Sequence, residues 1–403
     1  MERLSIVKAL LLESIHPLTE KILIDASIKV ETRTGALDEA ELIDALQGVQ
    51  LVGLRSKTEI TPAVLDQAGD LQGIGAFCIS TSQIALNDAT QKGVVVFNAP
   101  FSNTRSVVEL AIAEIIVMAR QLTEKDGSLH RGVWDKNSKG SHEIRGRKLG
   151  IVGYGNIGSQ LSVVAEMLGL QVYFYDIDDK LAMGNAHCCD SLEALLGIAE
   201  IISLHVDGRS SNAGFFGAEQ FAKMRLRSLF LNLSRGCVVD YEALRGNLLS
   251  GHIAGASVDV FPNEPKKRGD AFISPLQGIP NVVLTPHIGG STEEAQEDVG
   301  RFVATKLRDF AQRGTTTLSV NLPSLTLEER SGGRRISHLH LNTPGVLAKM
   351  NSILADHGVN IEGQLLNTKS ETGYVVTDVA ELPEAALADL CAMSETIRLR
   401  VID

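Results

Sequence analysis

Three segments in the second half of this 403-residue chain carry side chains suited to proton and hydride chemistry. Asn232-Leu233-Ser234-Arg235-Gly236 sets an arginine just past one apolar run. Asp259-Val260-Phe261-Pro262-Asn263-Glu264-Pro265 sets two carboxylates past another, and Thr285-Pro286-His287-Ile288-Gly289-Gly290 sets a histidine past a third. An imidazole titrates near neutral pH and can take the proton of an alcohol, which suits His287 to the part of a general base. A carboxylate beside it fixes the ring and favours its protonated form, which suits Glu264. The planar fork of Arg235 can hold a carboxylate and polarise a carbonyl. Taken singly, each reads as a surface charge or a cap. Open α/β sheets bind ligands beyond the carboxyl ends of their strands, so three such residues at successive strand ends point to one site.

Upstream lies Gly153-Tyr154-Gly155-Asn156-Ile157-Gly158. A short apolar strand, Lys148 to Val152, precedes it. An apolar helical pattern through Leu161, Val164, Ala165 and Leu168 follows, and then a strand, Val172 to Tyr175, that ends on Asp176. This order is the βαβ dinucleotide fingerprint. Gly153 permits the tight turn, Gly155 lets backbone approach a pyrophosphate, and Gly158 lets the helix pack on the strand. The helix N-terminus offers N–H donors to phosphate. Asp176 suits the adenosine ribose hydroxyls and would repel a 2′-phosphate, so the expected cofactor is NAD.

The composition bounds the rest. A hydrophobic fraction of 44% with 22% charged residues is that of a globular chain of two or three domains. A net charge of −11 argues against nucleic acid or an anionic membrane as partner, so an anionic substrate needs local cations. The N-terminus, Met1-Glu2-Arg3-Leu4, lacks a signal-peptide pattern, and no apolar run reaches the length of a bilayer span. The five cysteines (Cys78, Cys188, Cys189, Cys237, Cys391) form no C-x-x-C pair and no metal-ligand spacing. Reduced thiols in a cytoplasmic enzyme are the expectation.

The positioning elements follow from periodicity. Residues 51–54, 73–79 and 94–97 read as strands of a small open α/β domain, with helices at 37–46 and 62–68. A long apolar helix is expected from Ser106 to Leu122. Later strands fall at 201–205, 229–233, 256–260 and 282–284, and a helix at 292–312. A segment rich in Thr, Ser, Pro and Gly from Arg313 to Gly333 reads as a linker. Beyond it, strands at 335–341, 359–367, 374–380 and 397–401 alternate with helices at 344–357 and 384–393, a compact module too small to be a second enzyme.

The ordered set Arg235, Glu264, His287 resembles the D-isomer-specific 2-hydroxyacid dehydrogenases. The resemblance covers nearly the whole chain: Phe97 to Ser106, Lys148 to Gly158, Val172 to Asp176, Ser234 to Asp240, Asp259 to Pro265 and Leu284 to Glu294. It implies an α/β fold with a Rossmann nucleotide-binding domain at 103–290 and a flavodoxin-like substrate domain built from 1–102 and 291–331. It implies an NAD site lined by Gly153, Gly155, Asn156, Ile157, Gly158, Asp176, Ser234, Arg235, Asp259, His287 and Gly290. The similarity is greatest to the branch that oxidises D-3-phosphoglycerate to 3-phosphohydroxypyruvate at the first step of serine synthesis. In that branch Arg55, Ser56 and Lys57 match the segment holding the substrate's charged end, and Asn103 a contact on the phosphate side. Lys57 stands where the family often has Arg, and Ser80 where it usually has Gly.

The tail at 332–403 resembles an ACT domain, a ferredoxin-like βαββαβ module that senses amino acids. His338-Leu339-His340-Leu341-Asn342-Thr343-Pro344-Gly345-Val346-Leu347 and Gly358-Val359-Asn360-Ile361 carry that likeness. His340, Asn342 and Asn360 match the positions that hold L-serine, which the resemblance implies as effector. Such modules pair side by side, and with the apolar helix at 106–122 this favours a homotetramer. Two rivals stay open. One is a reductase of another 2-oxo acid, such as glyoxylate, hydroxypyruvate or 2-oxoglutarate, the last able to coexist with the main activity. The other is a non-catalytic NAD-sensing binding protein.

Overall fold

The computed structural model describes residues 7–265, 269–328 and 332–402. The leader reading of Met1 to Leu4 and the boundary after residue 331 lie outside the described residues. The chain divides into two compact units, one of residues 1–102 with 296–403 and the other of residues 103–295.

In the first unit, β1 (Lys8–Leu11), β2 (Lys29–Thr32), β3 (Leu51–Leu54), β4 (Gly73–Ala76) and β5 (Val95–Asn98) form a parallel sheet in the order β2-β1-β3-β4-β5. This is the flavodoxin-like order. Helices α1 (Pro17–Asp25), α2 (Glu39–Ala45), α3 (Pro62–Gln67) and α4 (Leu86–Gln91) connect the strands. The sequence marks two of their starts: Asp38 and Glu41 make a reciprocal capping box on α2, and Thr61 caps α3 ahead of Pro62. Alternate strand residues serve opposite faces. Val52, Ile74 and Val96 join Leu42 and Val64 of the helices, while Leu51, Val95 and Phe97 enter a separate core.

The second unit opens with α5 (Thr104–Arg120) and α6 (Leu122–His130). The single helix expected at 106–122 ends early because Gln121 adopts a left-handed conformation, φ 50°, and its N–H closes on Met118 and Val117. Then come β6 (Lys148–Val152), α7 (Asn156–Met167), β7 (Gln171–Tyr175), β8 (His187–Cys188), α8 (Leu192–Ile198) and β9 (Ile201–Leu204). The unit continues with α9 (Ala218–Lys223), β10 (Ser228–Asn232), α10 (Tyr241–Leu249), β11 (Ile253–Val258) and β12 (Val282–Leu284). The parallel sheet runs β12-β11-β10-β9-β6-β7-β8, a Rossmann order whose reversal lies between β6 and β9. Ligands of such sheets bind at that switch point, beyond the strands' carboxyl ends.

α11 (Glu293–Arg313) then leads back into the first unit. After it, β13 (Arg334–Leu341), α12 (Val346–Asp356), β14 (Ile361–Lys369), β15 (Thr372–Val379), α13 (Glu384–Ala392) and β16 (Thr396–Ile402) form the expected βαββαβ module. Its antiparallel sheet runs β14-β15-β13-β16. One face carries Ile336, Val375 and Val379 against Met350, Leu354 and Leu390 of the two helices. The other face, with Leu339, Tyr374 and Val376, packs into the core that holds Val303, Leu307 and Phe310 of α11.

The segment expected as a linker is core instead. Leu322, Leu325 and Leu327 are buried among the α11 residues, and Thr316 Oγ1 donates to Pro323 O at 2.6 Å. The side-chain amide of Asn321 pairs with the edge of the sheet, its Oδ1 accepting Val96 N–H at 2.8 Å and its Nδ2 donating to Val94 O at 2.9 Å. Composition reads as a linker because the apolar residues are isolated among polar ones that satisfy the backbone. Leu322→Ala, at a site 2% exposed, is expected to destabilise the protein by about 2–5 kcal/mol, measured from chemical unfolding curves. A loss near zero would mean that the segment is a linker after all.

Candidate active site

Local packing brings Arg235, Glu264 and His287 to the carboxyl ends of β10, β11 and β12. Gly236, just after Arg235, is what allows this: a Cβ there would lie 2.0 Å from the Phe261 carbonyl carbon, so only glycine lets the two strand-end turns touch. Asn232, fully buried, accepts Ser234 N–H and Oγ–H at 3.1 and 2.7 Å and donates to Arg235 O and Tyr241 Oη. Tyr241 Oη donates in turn to Val260 O at 2.6 Å. These bonds tie the arginine turn to the carboxylate turn. Sequence reading missed Asn232 and Tyr241, and only the strand-end position of Asn232 signals it.

Glu264 is fixed at both oxygens. Oε1 accepts Phe261 N–H at 3.0 Å, and Oε2 lies 2.8 Å from His287 Nδ1. Burial by itself would push the Glu264 carboxyl up, but the His287 and Phe261 hydrogen bonds and the nearby positive charge hold it below its ordinary value. The same Glu264 hydrogen bond raises His287 above the usual imidazole value, against the opposing effect of burial. Among the described residues Nε2 of His287 carries no hydrogen bond. His287 sits at φ 54°, a left-handed conformation uncommon for a residue with a side chain.

What holds that turn is Asp259, 2% exposed. Its Oδ1 accepts Thr285 Oγ–H at 2.6 Å and Ile288 N–H at 2.8 Å, and its Oδ2 accepts Gly289 N–H at 2.8 Å. Gly290 packs against Asn103: a Cβ on it would meet Asn103 Nδ2 at 2.3 Å.

The fingerprint lies beside a cleft of about 370 Å³ lined by Gly153, Gly155, Asn156, Asp176, His205 and Arg209, among others. Gly155 has open space where a Cβ would stand, and α7 has no side chain capping its N-terminus, so its first N–H groups stay available to phosphate. Gly158 is buried, where a Cβ would lie 2.2 Å from Gly153 O. Ile157 follows on the half-buried side of the helix. Asp176 accepts Tyr154 N–H at 2.6 Å and Asp178 N–H at 3.0 Å, which fixes the carboxylate at the cleft. The cations there are matched, Lys180 by Asp178 at 3.1 Å and Arg209 by Asp207 at 2.5 Å. His205 is neutral, pushed down to about 4 by burial. These residues fit a dinucleotide with free ribose hydroxyls.

Of the residues expected on the substrate side, Arg55, Ser56 and Lys57 lie in the first unit. Arg55 is half-buried and Ser56 and Lys57 are exposed in the loop after β3. Beneath that loop is Glu13, which the sequence reading passed over although it is the first charge after the apolar run of β1. It is 7% exposed, and its carboxylate accepts the N–H groups of Lys57 and Thr58 at 3.1 and 2.8 Å. Ser80 Oγ is hydrogen-bonded to Ser82 Oγ at 2.8 Å. Asn103 belongs to the second unit, at the start of α5, and its Oδ1 is buried without a partner among the described residues.

In the C-terminal module, His340 is 3% exposed with Nδ1 bonded to Leu341 O, while Asn342 and Asn360 are exposed. One chain does not bring the three together. Leu341 pairs with Thr372 and Ile361 with Val379, so Asn342 and Asn360 flank opposite ends of the sheet, about 24 Å apart at the rise of a strand.

The family profile described as "D-isomer specific 2-hydroxyacid dehydrogenase, NAD binding domain" matches residues 112–289. A D-3-phosphoglycerate dehydrogenase of Escherichia coli is 46% identical over 98% of this chain and 97% of its own length. The chain belongs to the D-isomer-specific 2-hydroxyacid dehydrogenases. A D-3-phosphoglycerate dehydrogenase of Haemophilus influenzae is 45% identical over 98% of this chain and 97% of its own length. A profile described as an AHAS small subunit-like ACT domain matches residues 336–398. Among solved structures, D-2-hydroxyisocaproate dehydrogenase shares the fold with a TM-score of 0.72 at 23% identity, covering 78% of this chain and all of that one. This member of the dehydrogenase family is therefore an NAD-binding oxidoreductase with an appended ACT domain. Among the described residues no helix is long and apolar enough to cross a membrane.

In a dehydrogenase of this kind the base must be neutral to take a proton. Glu264→Gln removes the charge that raises His287, so the acid limb of kcat/KM for hydroxy-acid oxidation is expected at lower pH than in the wild type. A limb that stayed in place would disconnect Glu264 from His287.

Proposed function

We propose that the protein oxidises D-3-phosphoglycerate to 3-phosphohydroxypyruvate, the first step of L-serine synthesis, under inhibition by L-serine. The observation that carries this reading is the Glu264–His287 hydrogen bond at 2.8 Å, beside Arg235, in a chain 46% identical to a D-3-phosphoglycerate dehydrogenase over nearly its full length. His287 Nε2 takes the hydroxyl proton of the substrate, and Glu264 Oε2 stabilises the imidazolium formed. Arg235 binds the substrate carboxylate and polarises the carbon–oxygen bond. NAD, when bound, supplies the hydride acceptor. Gly155, Asn156 and Ile157, at the uncapped start of α7, would hold its pyrophosphate with Gly158 packing the helix behind them, Asp176 would hold its adenosine ribose, and Ser234, Asp259 and Gly290 would line the rest of its site.

Arg55, Ser56, Lys57 and Asn103 bind the phosphate. Because Glu13 takes the N–H groups of Lys57 and Thr58, those two backbone donors are not open to an anion, which leaves the side chains of Arg55, Ser56 and Lys57 to meet it. Serine bound by His340, Asn342 and Asn360 needs a second copy, since one chain separates the two amides. Ile116, Leu122, Leu129, Val133 and Trp134 are exposed on and after α5 and α6, Trp134 at 79%. That apolar run supports a second interface and so a homotetramer. Residues 103–290, 1–102 with 291–331, and 332–403 are the functional domains, in a cytoplasmic enzyme.

The test is NADH oxidation with 3-phosphohydroxypyruvate, with and without about millimolar serine. Fast turnover suppressed by serine is expected, and Arg55→Ala should raise KM at least about tenfold for the phosphorylated substrate while changing that for hydroxypyruvate little. Turnover of glyoxylate or 2-oxoglutarate alone would replace phosphoglycerate as the substrate.

A further inference from the structure

Glu114 stands on α5 inside an otherwise apolar face, 3% exposed, among Val107, Val108, Ala111, Ile115 and Met118. Both of its carboxyl oxygens are buried without a hydrogen-bond partner among the described residues, and so is Oγ of Ser257 on β11. A buried carboxylate with no cation beside it is costly, so burial disfavours the charged form of this group. Burial accounts for most of the effect and the Asp259 charge adds to it, against the hydroxyls of Ser257 and Thr285, and together they push the carboxyl up to about 7. The facing groups are those two hydroxyls, from β11 and from the turn after β12, and the carboxylate of Asp259. The neighbouring α7 and β10 present Leu161, Ala165 and Leu231.

Thr285 links this acid to the histidine turn. Its single hydroxyl proton goes to Asp259 Oδ1 at 2.6 Å, and Asp259 in turn holds Ile288 and Gly289 on either side of the bend after His287. A neutral Glu114 leaves that proton with Asp259. An ionised Glu114 would be a second carboxylate competing for it and repelling Asp259.

We propose that Glu114 is a positioning residue for the His287 turn, acting through Thr285 and Asp259 only while it carries its proton. This rests on the reading of His287 as the base. The group does not touch substrate, and its ionisation loosens the turn without dismantling the site.

The linkage has a definite sign. A carboxyl raised in the fold stabilises relative to the unfolded chain at low pH, and this contribution is lost as pH rises from the ordinary carboxylate value through the raised one. Glu114→Gln keeps the shape and donor capacity of the acid and cannot ionise. Thermal unfolding of the intact protein, wild type and variant, from about pH 5 to about pH 8.5 should show the variant's midpoint gaining roughly 5 °C on the wild type and then levelling. Over the same range, the ratio of variant to wild-type kcat for hydroxy-acid oxidation should rise from near unity to about threefold or more.

An unfolding difference independent of pH would show that Glu114 does not change charge in the fold, and would overturn the proposal. A pH-dependent unfolding difference with a flat kcat ratio would leave a buried acid with no hold on the histidine turn, and would overturn it as well. Should Glu114→Gln fold poorly, Glu114→Met gives the same unfolding and kcat comparisons, and either of those two results would overturn the proposal in the same way. A protein that oxidised no hydroxy acid would fail the functional reading, while the unfolding curves would still decide whether Glu114 holds a proton.

Discussion

Asp259 accepts three hydrogen bonds from the turn that carries His287, and most of the site depends on that one carboxylate. The turn leaves β12 and must place an imidazole at φ 54°, a conformation that a side chain resists. Two backbone N–H groups and a hydroxyl drawn to a buried anion supply the compensation, since charge-assisted bonds are about twice as strong as neutral ones. With the turn fixed, Glu264 needs only its own anchor, the Phe261 N–H, to bring Oε2 against Nδ1. Gly236 and Asn232 then bring Arg235 into the same cluster from the neighbouring strand. The three side chains are distant in sequence because each belongs to a different strand of one parallel sheet.

The charges follow a similar pattern of placement. A chain of net charge −11 must handle anions, and it does so with local cations beside compensated carboxylates. Arg235 donates to Ser234 O at 2.7 Å, Arg209 and Lys180 are paired at the dinucleotide cleft, and Glu13 occupies the amides beneath Arg55 and Lys57. At the loop after β3 the fold commits two backbone donors to a protein acid and leaves the Arg55 and Lys57 side chains to meet a ligand. The C-terminal module shows a different constraint, since its two exposed amides lie at opposite ends of one sheet and only pairing of modules could unite them.

Much of this was legible in the residues. Short apolar runs ending in Asp176, Asn232, Asp259 and Thr285 gave the strands of the second unit, because buried parallel strands need continuous apolar residues and ligand sites gather at their ends. The fingerprint glycines were readable for the same steric reasons that the structure displays at Gly158. Four things were hidden. Gln121 breaks a helix by a backbone conformation that no local composition announces. The segment around Leu322 looks like a linker because its burial comes from distant residues of α11 and β5. Glu13 and Glu114 are charged residues whose importance lies in burial, which a single sequence does not report. β8, only two residues long, gave no periodicity at all.

The central claim is that His287 exchanges the substrate proton. The direct measurement is kcat for hydroxy-acid oxidation by His287→Ala, with NAD affinity followed separately by titration. The account predicts a fall of about 10²–10⁴-fold with NAD affinity changed little. A variant that kept more than roughly a tenth of wild-type turnover would contradict it and send the search for the base elsewhere in the site.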